Sequence, residues 1–223
     1  MSDWEEEHVE DKLHHFSSDT ITIRFSRSRC IHAGECIRGL PPVFDNSRLR
    51  WIDPAQASPD EISSVVRRCP TGALHFERID EGEQETPDPV NLAVVSPDGP
   101  LYLRGDLRIL AEDGTEILRD TRVALCRCGV SGRKPLCDGS HDQAGFRDPG
   151  LVEGPGSGLS SAHAPLVVTV LVGGALRVEG PLEIRAADGS VVRTSGASFC
   201  RCGSSARKPF CDGSHGRIGF EVR

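Results

Sequence analysis

Residues 126–141 read Cys126-Arg-Cys128-Gly-Val-Ser-Gly-Arg-Lys-Pro-Leu-Cys137-Asp-Gly-Ser-His141, and this stretch decides the fold because most of it occurs twice in the chain. The second copy, at 200–215, reads Cys200-Arg-Cys202-Gly-Ser-Ser-Ala-Arg-Lys-Pro-Phe-Cys211-Asp-Gly-Ser-His215. The repeat extends upstream, where Gly105-Asp-Leu107-Arg-Ile109 corresponds to Gly180-Pro-Leu182-Glu-Ile184. A repeat of this length indicates two copies of one structural module.

The repeat divides the 223-residue chain into modules that are joined by segments of biased composition. Acidic residues are frequent before the first module, and Gly, Pro and Ser are frequent between the two, as is typical of linkers. We predict an acidic tail at 1–18, a small domain at 19–79, an acidic linker at 80–90, one module at 91–148, a Gly/Pro/Ser linker at 149–164 and the second module at 165–223.

Each module is predicted to consist of short strands. Apolar and polar residues alternate over 101–109 and 176–184. Asp113-Gly114 and Asp188-Gly189 are typical of hairpin turns. Because a module of this size buries little core alone, we expect the two modules to pack strands against each other about a pseudo-twofold axis.

The segment before the modules has a different pattern. Alternating apolar residues at 21–25 and 74–76 predict two strands that pair. Ser58-Pro59-Asp60-Glu61 predicts a helix start, with a Ser cap, Pro at the first position and Glu three residues after the cap. The apolar face of that helix is formed by Ile62, Val65, Val66 and Cys69.

Charge and hydropathy exclude several classes of protein. The 33 acidic and 26 basic residues give a net charge of −7, which argues against nucleic-acid binding. The longest apolar stretch, at 164–172, is too short to span a membrane, and the first residues lack a secretory signal. We therefore expect a cytoplasmic protein that neither spans a membrane nor binds nucleic acid. Its cysteines would be reduced and available for metal binding or catalysis.

The nine cysteines fall into three groups of three, and each repeat adds a histidine as a fourth candidate ligand. The groups are Cys126, Cys128, Cys137 with His141; Cys200, Cys202, Cys211 with His215; and Cys30, Cys36, Cys69. A Cys-x-Cys pair suits one iron, and the Cys and His four residues apart suit a second iron, as in a [2Fe–2S] cluster. Spacing alone leaves a zinc ion as the alternative.

Both repeats resemble the signature of the CDGSH (NEET) iron–sulfur family. The resemblance includes Ser131 and Pro135 in the first copy and Ser205 and Pro209 in the second. It implies that three cysteines and one histidine of each copy bind a [2Fe–2S] cluster, beneath a β-sandwich-like cap. A tandem chain resembles the branch in which two modules within one monomer mimic the family's dimer, so we expect a monomer.

Residues from about 19 to 79 resemble small mono-cluster ferredoxins, through the spacing of Cys30 and Cys36 and the closing motif Cys69-Pro-Thr-Gly-Ala. Bacterial ferredoxins carry a cysteine at every third position here, but this chain has Ala33 at the middle position. Three thiolates suffice for [3Fe–4S], which we favour. The alternative, [4Fe–4S], needs a fourth ligand from His32, a carboxylate or water.

Together these patterns predict an α+β, mainly β fold, with a small ferredoxin-like domain followed by two CDGSH modules. We expect a non-enzymatic electron-transfer protein with three clusters, which meets a redox partner protein, either a reductase or an electron acceptor. The alternative is a cluster carrier or a redox or pH sensor that releases [2Fe–2S] to an apo-protein through labile His ligands. A third reading is a subunit or docking module of a larger oxidoreductase.

Several other side chains are expected to have simpler roles. The histidines outside the motifs are expected to face solvent; they are His8, His14, His15, His75 and His163. The basic residues of the repeats are expected either to face the clusters and raise their potentials or to lie on the solvated surface. They are Arg127, Arg133, Lys134 and their counterparts Arg201, Arg207, Lys208.

Overall fold

The computed structural model describes residues 12–153 and 164–221, which form an α+β fold dominated by strands. The strands are β1 (Leu13–Ser17), β2 (Ile21–Ser26), β3 (Leu74–Arg78), β4 (Leu92–Val95), β5 (Leu101–Ala111), β6 (Glu116–Leu125), β7 (Leu166–Val170), β8 (Leu176–Arg185) and β9 (Val191–Phe199). The helices are α1 (Glu35–Gly39), α2 (Pro59–Val66), α3 (Ser140–Gln143) and α4 (Ser214–Arg217), with a 3-10 turn at Pro54–Gln56. No helix in the described ranges is long and apolar enough to cross a membrane. His8 and His163 lie outside the described residues.

The N-terminal domain is a three-stranded antiparallel sheet of order β1-β2-β3, with α2 packed against it. The acidic tail predicted at 1–18 is wrong for 13–17, which form the edge strand β1. This segment pairs with 22–26 of β2, from Leu13 opposite Ser26 to Ser17 opposite Thr22. The hydroxyls of Ser17 and Thr22 are 2.9 Å apart, so the pairing also satisfies polar side chains.

The predicted helix at Ser58 is confirmed. Ser58 Oγ accepts a hydrogen bond from the Glu61 backbone N–H, and the Glu61 carboxylate accepts one from the Ser58 N–H, which makes a reciprocal capping box. Ile62, Val65 and Val66 are buried as expected. The helix ends at Val66, so the buried Cys69 follows it in a turn rather than continuing its face.

The two modules share one six-stranded sheet. Each contributes an antiparallel hairpin, β5–β6 in the first and β8–β9 in the second. The modules meet through parallel pairs: β4 lies beside β8, and β7 lies beside β5. One continuous core forms between them, from residues that include Leu103, Ile109, Val168, Val178 and Ile184, all at most 1% exposed. Neither module therefore builds its core alone.

A buried group of charged side chains joins the N-terminal domain to the first module. Arg122 on β6 is 2% exposed and donates hydrogen bonds to the carboxylate of Glu85 and to the carbonyls of Val66 and Leu74. The carboxylate of Asp120, also on β6, lies 2.5 Å from the guanidinium of Arg29. Buried charges are tolerated when each is paired and hydrogen-bonded, as these are.

Two predictions fail at this interface. His75 does not face solvent: its Nδ1 lies 3.0 Å from Glu85 and its Nε2 lies 3.3 Å from Asp120. Glu85 belongs to the segment predicted to be a solvated acidic linker, yet its side chain is only 8% exposed. Acidic composition indicated exposure at Glu85, but buried cations from two other segments hold this carboxylate at the interface.

His75 makes the stability of this interface depend on pH. Burial lowers the pKa of His75, but hydrogen bonds to Asp120 and Glu85 and their negative charges outweigh burial and raise it to about 9. An imidazole in the unfolded chain titrates near about 6.5. Because the folded pKa is the higher one, protonated His75 stabilises the fold fully below pH 6.5, and this stabilisation is lost as pH rises through 9.

We predict that the free energy of unfolding of the N-terminal domain falls between pH 6.5 and pH 9 by up to about 3 kcal/mol. His75→Gln removes this fall because it removes the titrating group. Denaturant unfolding at several pH values measures it, with the exposed His15→Gln as control. An equal fall in His75→Gln and in the wild type would contradict the assignment.

Candidate metal centres

Each module brings its four predicted ligands together as two pairs. In the first module, Cys126 Sγ and Cys128 Sγ are 3.6 Å apart, and Cys137 Sγ lies 3.3 Å from His141 Nδ1. The second module repeats this arrangement, with 3.6 Å between the sulfurs of Cys200 and Cys202 and 3.2 Å between Cys211 Sγ and His215 Nδ1. The ring nitrogen that faces the thiol is therefore Nδ1 in both modules.

The ligands lie where each hairpin passes into its loop. Strand β6 ends at Leu125, directly before Cys126, and the backbone of Leu125 bridges to Leu136, directly before Cys137. This bridge brings the first and the third cysteine side by side. His141 then follows on α3, because a helical turn carries it back over the cysteine four residues earlier. Phe199 and Phe210 make the equivalent bridge in the second module.

A buried serine closes each ligand loop. Ser131 Oγ donates to the Leu136 carbonyl at 2.7 Å and accepts from the Arg133 N–H at 3.0 Å. Ser205 makes the same two contacts, at the same distances, with Phe210 and Arg207. Both serines are 1% exposed. The X-Pro bonds before Pro135 and Pro209, within these loops, are cis.

The aspartate of each Cys-Asp-Gly-Ser-His motif joins the loop to the helix. Asp212 accepts from the Ala206 N–H at 2.9 Å and from the Ser214 N–H at 2.9 Å. Hydrogen bonding by Ser214, followed by the Ala206 N–H, holds the pKa of Asp212 well below its usual value. Asp138 makes equivalent contacts with Gly132 and Ser140. These carboxylates therefore have structural partners in the loop and in the helix that follows it.

The basic residues of the repeats have roles that the sequence did not indicate. Arg127 and Arg201 are 2% and 1% exposed, so neither lies on a solvated surface. Arg127 donates to the Gly99 carbonyl at 2.9 Å, and Arg201 donates to the Gly174 carbonyl at 2.8 Å. They anchor the turns before β5 and β8. Lys134 donates to the Ser131 carbonyl at 2.7 Å.

The cysteines of both modules are buried or partly buried. Burial raises the pKa of Cys137 to about 11 and that of Cys202 to about 11. The hydrogen bond between Cys126 and Cys128 lowers the pKa of Cys126 to about 6 and raises that of Cys128. Such a group becomes fully ionised at neutral pH only when a metal cation lies among the sulfurs.

The third cysteine group lines a small pocket in the N-terminal domain. Cys36 lies in the first turn of α1, Cys69 follows α2, and Cys30 precedes both in a loop. Burial, followed by the charge of Cys69, raises the pKa of Cys36 to about 11. The rest of the lining is mostly apolar and includes Phe25, Ile31, Trp51, Ala73 and Leu74. A soft, anionic donor set in an apolar pocket suits an iron–sulfur cluster.

A fourth protein ligand for this site would come from His32 or Glu35, and neither is freely available. His32 is not among the residues that line it. Glu35 does line it, but its carboxylate is paired with Arg38 at 2.6 Å. Glu35 is the carboxylate residue that lines this pocket, next to Cys36 at the start of α1.

Among the residues that the structure describes, no three His, Cys, Asp or Glu side chains converge closely enough to hold a single metal ion. The two modules have the same property, because each pair brings two candidate ligands, and not three, to one position.

Comparisons with known proteins match iron-binding families in both parts of the chain. A family described as a divergent 4Fe-4S mono-cluster domain matches residues 16–78, and the iron-binding zinc finger of CDGSH type matches residues 98–142 and 173–216. The chain therefore belongs to the tandem CDGSH proteins, with a mono-cluster ferredoxin-like domain at its N-terminus.

One bacterial protein, from two strains, is similar to part of the chain. The chain is similar to uncharacterized protein YjdI of Escherichia coli K12, with 31% identity over 61 residues, which are 27% of this chain and 80% of the relative. The same protein of Escherichia coli O157:H7 matches equally. No solved structure matches the chain.

The closing role of the serines can be tested in the second module. We predict that Ser205→Ala lowers the free energy of unfolding by about 1 kcal/mol, because it removes two hydrogen bonds at a buried site. Ser204→Ala, at the exposed neighbouring position, is the matched control. Thermal unfolding measures both variants, and equal stability of the two would contradict a closing role for Ser205.

Proposed function

We propose that this protein carries three iron–sulfur clusters and serves intracellular electron transfer without being an enzyme. Two [2Fe–2S] clusters are assigned to Cys126, Cys128, Cys137 with His141, and to Cys200, Cys202, Cys211 with His215. A third cluster is assigned to Cys30, Cys36 and Cys69. The observation that carries the proposal is the division of each module's ligands into two pairs.

The paired geometry supports a two-metal centre over a single zinc ion. Two thiolates bound to one tetrahedral metal, each at about 2.3 Å, lie about 3.7 Å apart. The Cys126–Cys128 and Cys200–Cys202 separations, both 3.6 Å, meet this requirement. A single ion would need the Cys–His pair to converge on the same point, and in the described part of the chain no three such ligands do. Two adjacent metals, each held by one pair, fit the arrangement.

Strand register supports a pseudo-twofold relation between the modules. Leu92 pairs with Glu183, and the equivalent positions Val167 and Arg108 pair in the same way. Cys128 and Cys202 form a bridge with each other across the two modules. Exchange of the modules therefore reproduces the pairing, as a dimer-like arrangement within a monomer requires.

The histidines set the electrical character of the two sites. When bound, each cluster would accept and release one electron. A neutral imidazole in place of a thiolate makes the site less negative by one charge, so His141 and His215 favour reduction. Leu125, Leu136, Phe199 and Phe210 each precede a cysteine of the motif and pack in or against the shared apolar core, and this apolar surrounding influences the potential.

The N-terminal site fits a cluster that needs only three cysteines. We favour [3Fe–4S], because the pocket supplies three thiolates and its carboxylate, Glu35, is already paired with Arg38. The alternative is [4Fe–4S], with the fourth iron bound by Glu35 or water. The description of the matching family names a four-iron cluster and supports this alternative.

A cluster carrier or sensor is the second candidate function. It is favoured by the position of Cys211 and His215, which are both partly exposed beside the four-residue helix α4. Transfer to an apo-ferredoxin, followed by the appearance of its absorbance, would support this role. Rapid reversible reduction with full retention of iron would support electron transfer.

We predict about seven irons and eight inorganic sulfides per chain for the favoured assignment. Colorimetric iron and sulfide determination on anaerobically purified protein measures them, and EPR of the oxidised protein should show the S = 1/2 signal of a three-iron cluster. Eight irons without that signal would replace the favoured N-terminal cluster by [4Fe–4S]. Zinc in place of iron in the modules would contradict the proposal.

We predict that His141→Cys and His215→Cys each lower the potential of one cluster, on the order of 100 mV, because a thiolate adds negative charge. Redox titration monitored by absorbance measures the shift. His15→Cys, which adds a thiol at an exposed position outside the sites, is the control. Unchanged potentials in both ligand variants would contradict histidine ligation.

A further inference from the structure

The surface that receives the N-terminal domain exists in only one of the two modules. On β6, Asp120 lies opposite Leu107, and the equivalent position on β9 is Thr194, opposite Leu182. Arg122 lies opposite Arg104, and its counterpart is Gly196. Thr194 and Gly196 cannot form the ion pairs that Asp120 and Arg122 make. The second module therefore cannot bind an N-terminal domain in the same way.

The loop that precedes Cys30 in the N-terminal domain contacts the ligand loop of the first module. Arg133, between Cys128 and Cys137, donates a hydrogen bond to the carbonyl of Ser28, two residues before Cys30. In the same region, Arg29 donates to the carbonyls of Thr71 and Arg122 at 2.9 and 2.8 Å. The contact between the two domains thus extends from the buried charges to the edge of the first CDGSH site.

Tyr102, the only tyrosine of the chain, lies on β5 of the first hairpin and is partly buried. Burial, followed by the charges of Cys137 and then Cys69, raises its pKa to about 12, so this side chain is within electrostatic reach of both thiols. Its counterpart on β8 is the exposed Arg177. At this position the first hairpin therefore carries a partly buried aromatic side chain, whereas the second hairpin carries an exposed arginine.

The third cysteine of the motif is also less exposed in the first module than in the second. Cys137 is 4% exposed, whereas its equivalent Cys211 is partly exposed. The two ligand motifs are closely similar in sequence, and the less exposed cysteine belongs to the loop that contacts the N-terminal domain through Arg133.

We propose that the N-terminal domain is a built-in cover for the first CDGSH site, and that the second CDGSH site is the one through which the protein exchanges with molecules in solution. Asp120 and Arg122 are the positioning residues that hold this cover. The inference rests on the proposed function only in that both sites bind iron; it assigns them unequal access. A cluster or an electron then leaves the protein at the second site, whereas the first site does not exchange directly with molecules in solution.

The test measures the order in which cysteines become free when iron is removed from the full-length holoprotein. A ferrous chelator with dithionite extracts the iron, pulses of N-ethylmaleimide trap the released thiols, and mass spectrometry identifies the labelled residues. We expect Cys200, Cys202 and Cys211 to be labelled about tenfold faster than Cys126, Cys128 and Cys137, because the covered site must open before the chelator reaches it. Equal rates, or earlier labelling of the first site, would overturn the proposal.

A variant that carries the second module's residues tests the cause. D120T/R122G should bring the labelling rate of the first site up to that of the second, and Arg119→Gly should not. Arg119 is the matched control because it lies on the same strand with a side chain that is 63% exposed. A difference between the sites that persists in a folded D120T/R122G protein would overturn the role of these residues.

Two further measurements separate the possible failures. Arg133→Ala breaks the contact with Ser28 and leaves the buried charges in place, so it should accelerate labelling of the first site even if D120T/R122G does not fold. Iron content is measured before chelation. Absence of iron would contradict the proposed function, and the labelling order of the metal-free thiols would still test the cover, because Asp120 and Arg122 do not depend on a metal. Equal labelling in that form would overturn the inference alone.

Discussion

The structure depends on two parallel strand pairs, in each of which a strand of one module extends the sheet of the other. β4 completes the sheet beside β8, and β7 completes it beside β5. Neither hairpin has enough apolar surface to form a core alone, so the pairing is what makes the shared core possible. It also determines where the ligands lie, because the loops that carry them extend from strands whose positions the pairing has already set.

The second organising feature is the group of buried charges at Arg122. Its guanidinium enters the N-terminal domain and donates to main-chain carbonyls on either side of Cys69. Asp120 and Glu85 supply the compensating negative charges, and His75 lies between them. Removal of one member would leave the others charged and unpaired in a buried position, so the group specifies one docking geometry.

The sequence allowed the ligands, the repeat and the first residues of α2 to be predicted because each rests on local information. A motif, a periodicity or a capping box is complete within a few residues. The structure places the module ligands together in pairs, as the Cys-x-Cys and Cys-x3-His spacings had indicated. The ligand assignments themselves remain predictions. The cross-module strand pairing was expected only in outline, and its register became visible in the sheet.

The features that the sequence analysis missed depend on residues that are distant along the chain. Arg122 meets Glu85 and Val66, which are 37 and 56 residues earlier. No local pattern indicates that an acidic segment will provide a buried carboxylate, or that His75 on a half-polar strand will lie between two carboxylates. The strand at 13–17 was missed for a different reason: its partner β2 lies close by in the sequence, but charge and polarity around the segment suggested a tail.

The central claim is that each CDGSH module holds two metals, one on each ligand pair. Diffraction from crystals of the purified protein at the iron absorption edge tests it most directly. The account predicts two iron peaks in each module, one beside Cys126 and Cys128 and one beside Cys137 and His141, with the same arrangement in the second module. A single peak per module, or a signal at the zinc edge in place of iron, would contradict it.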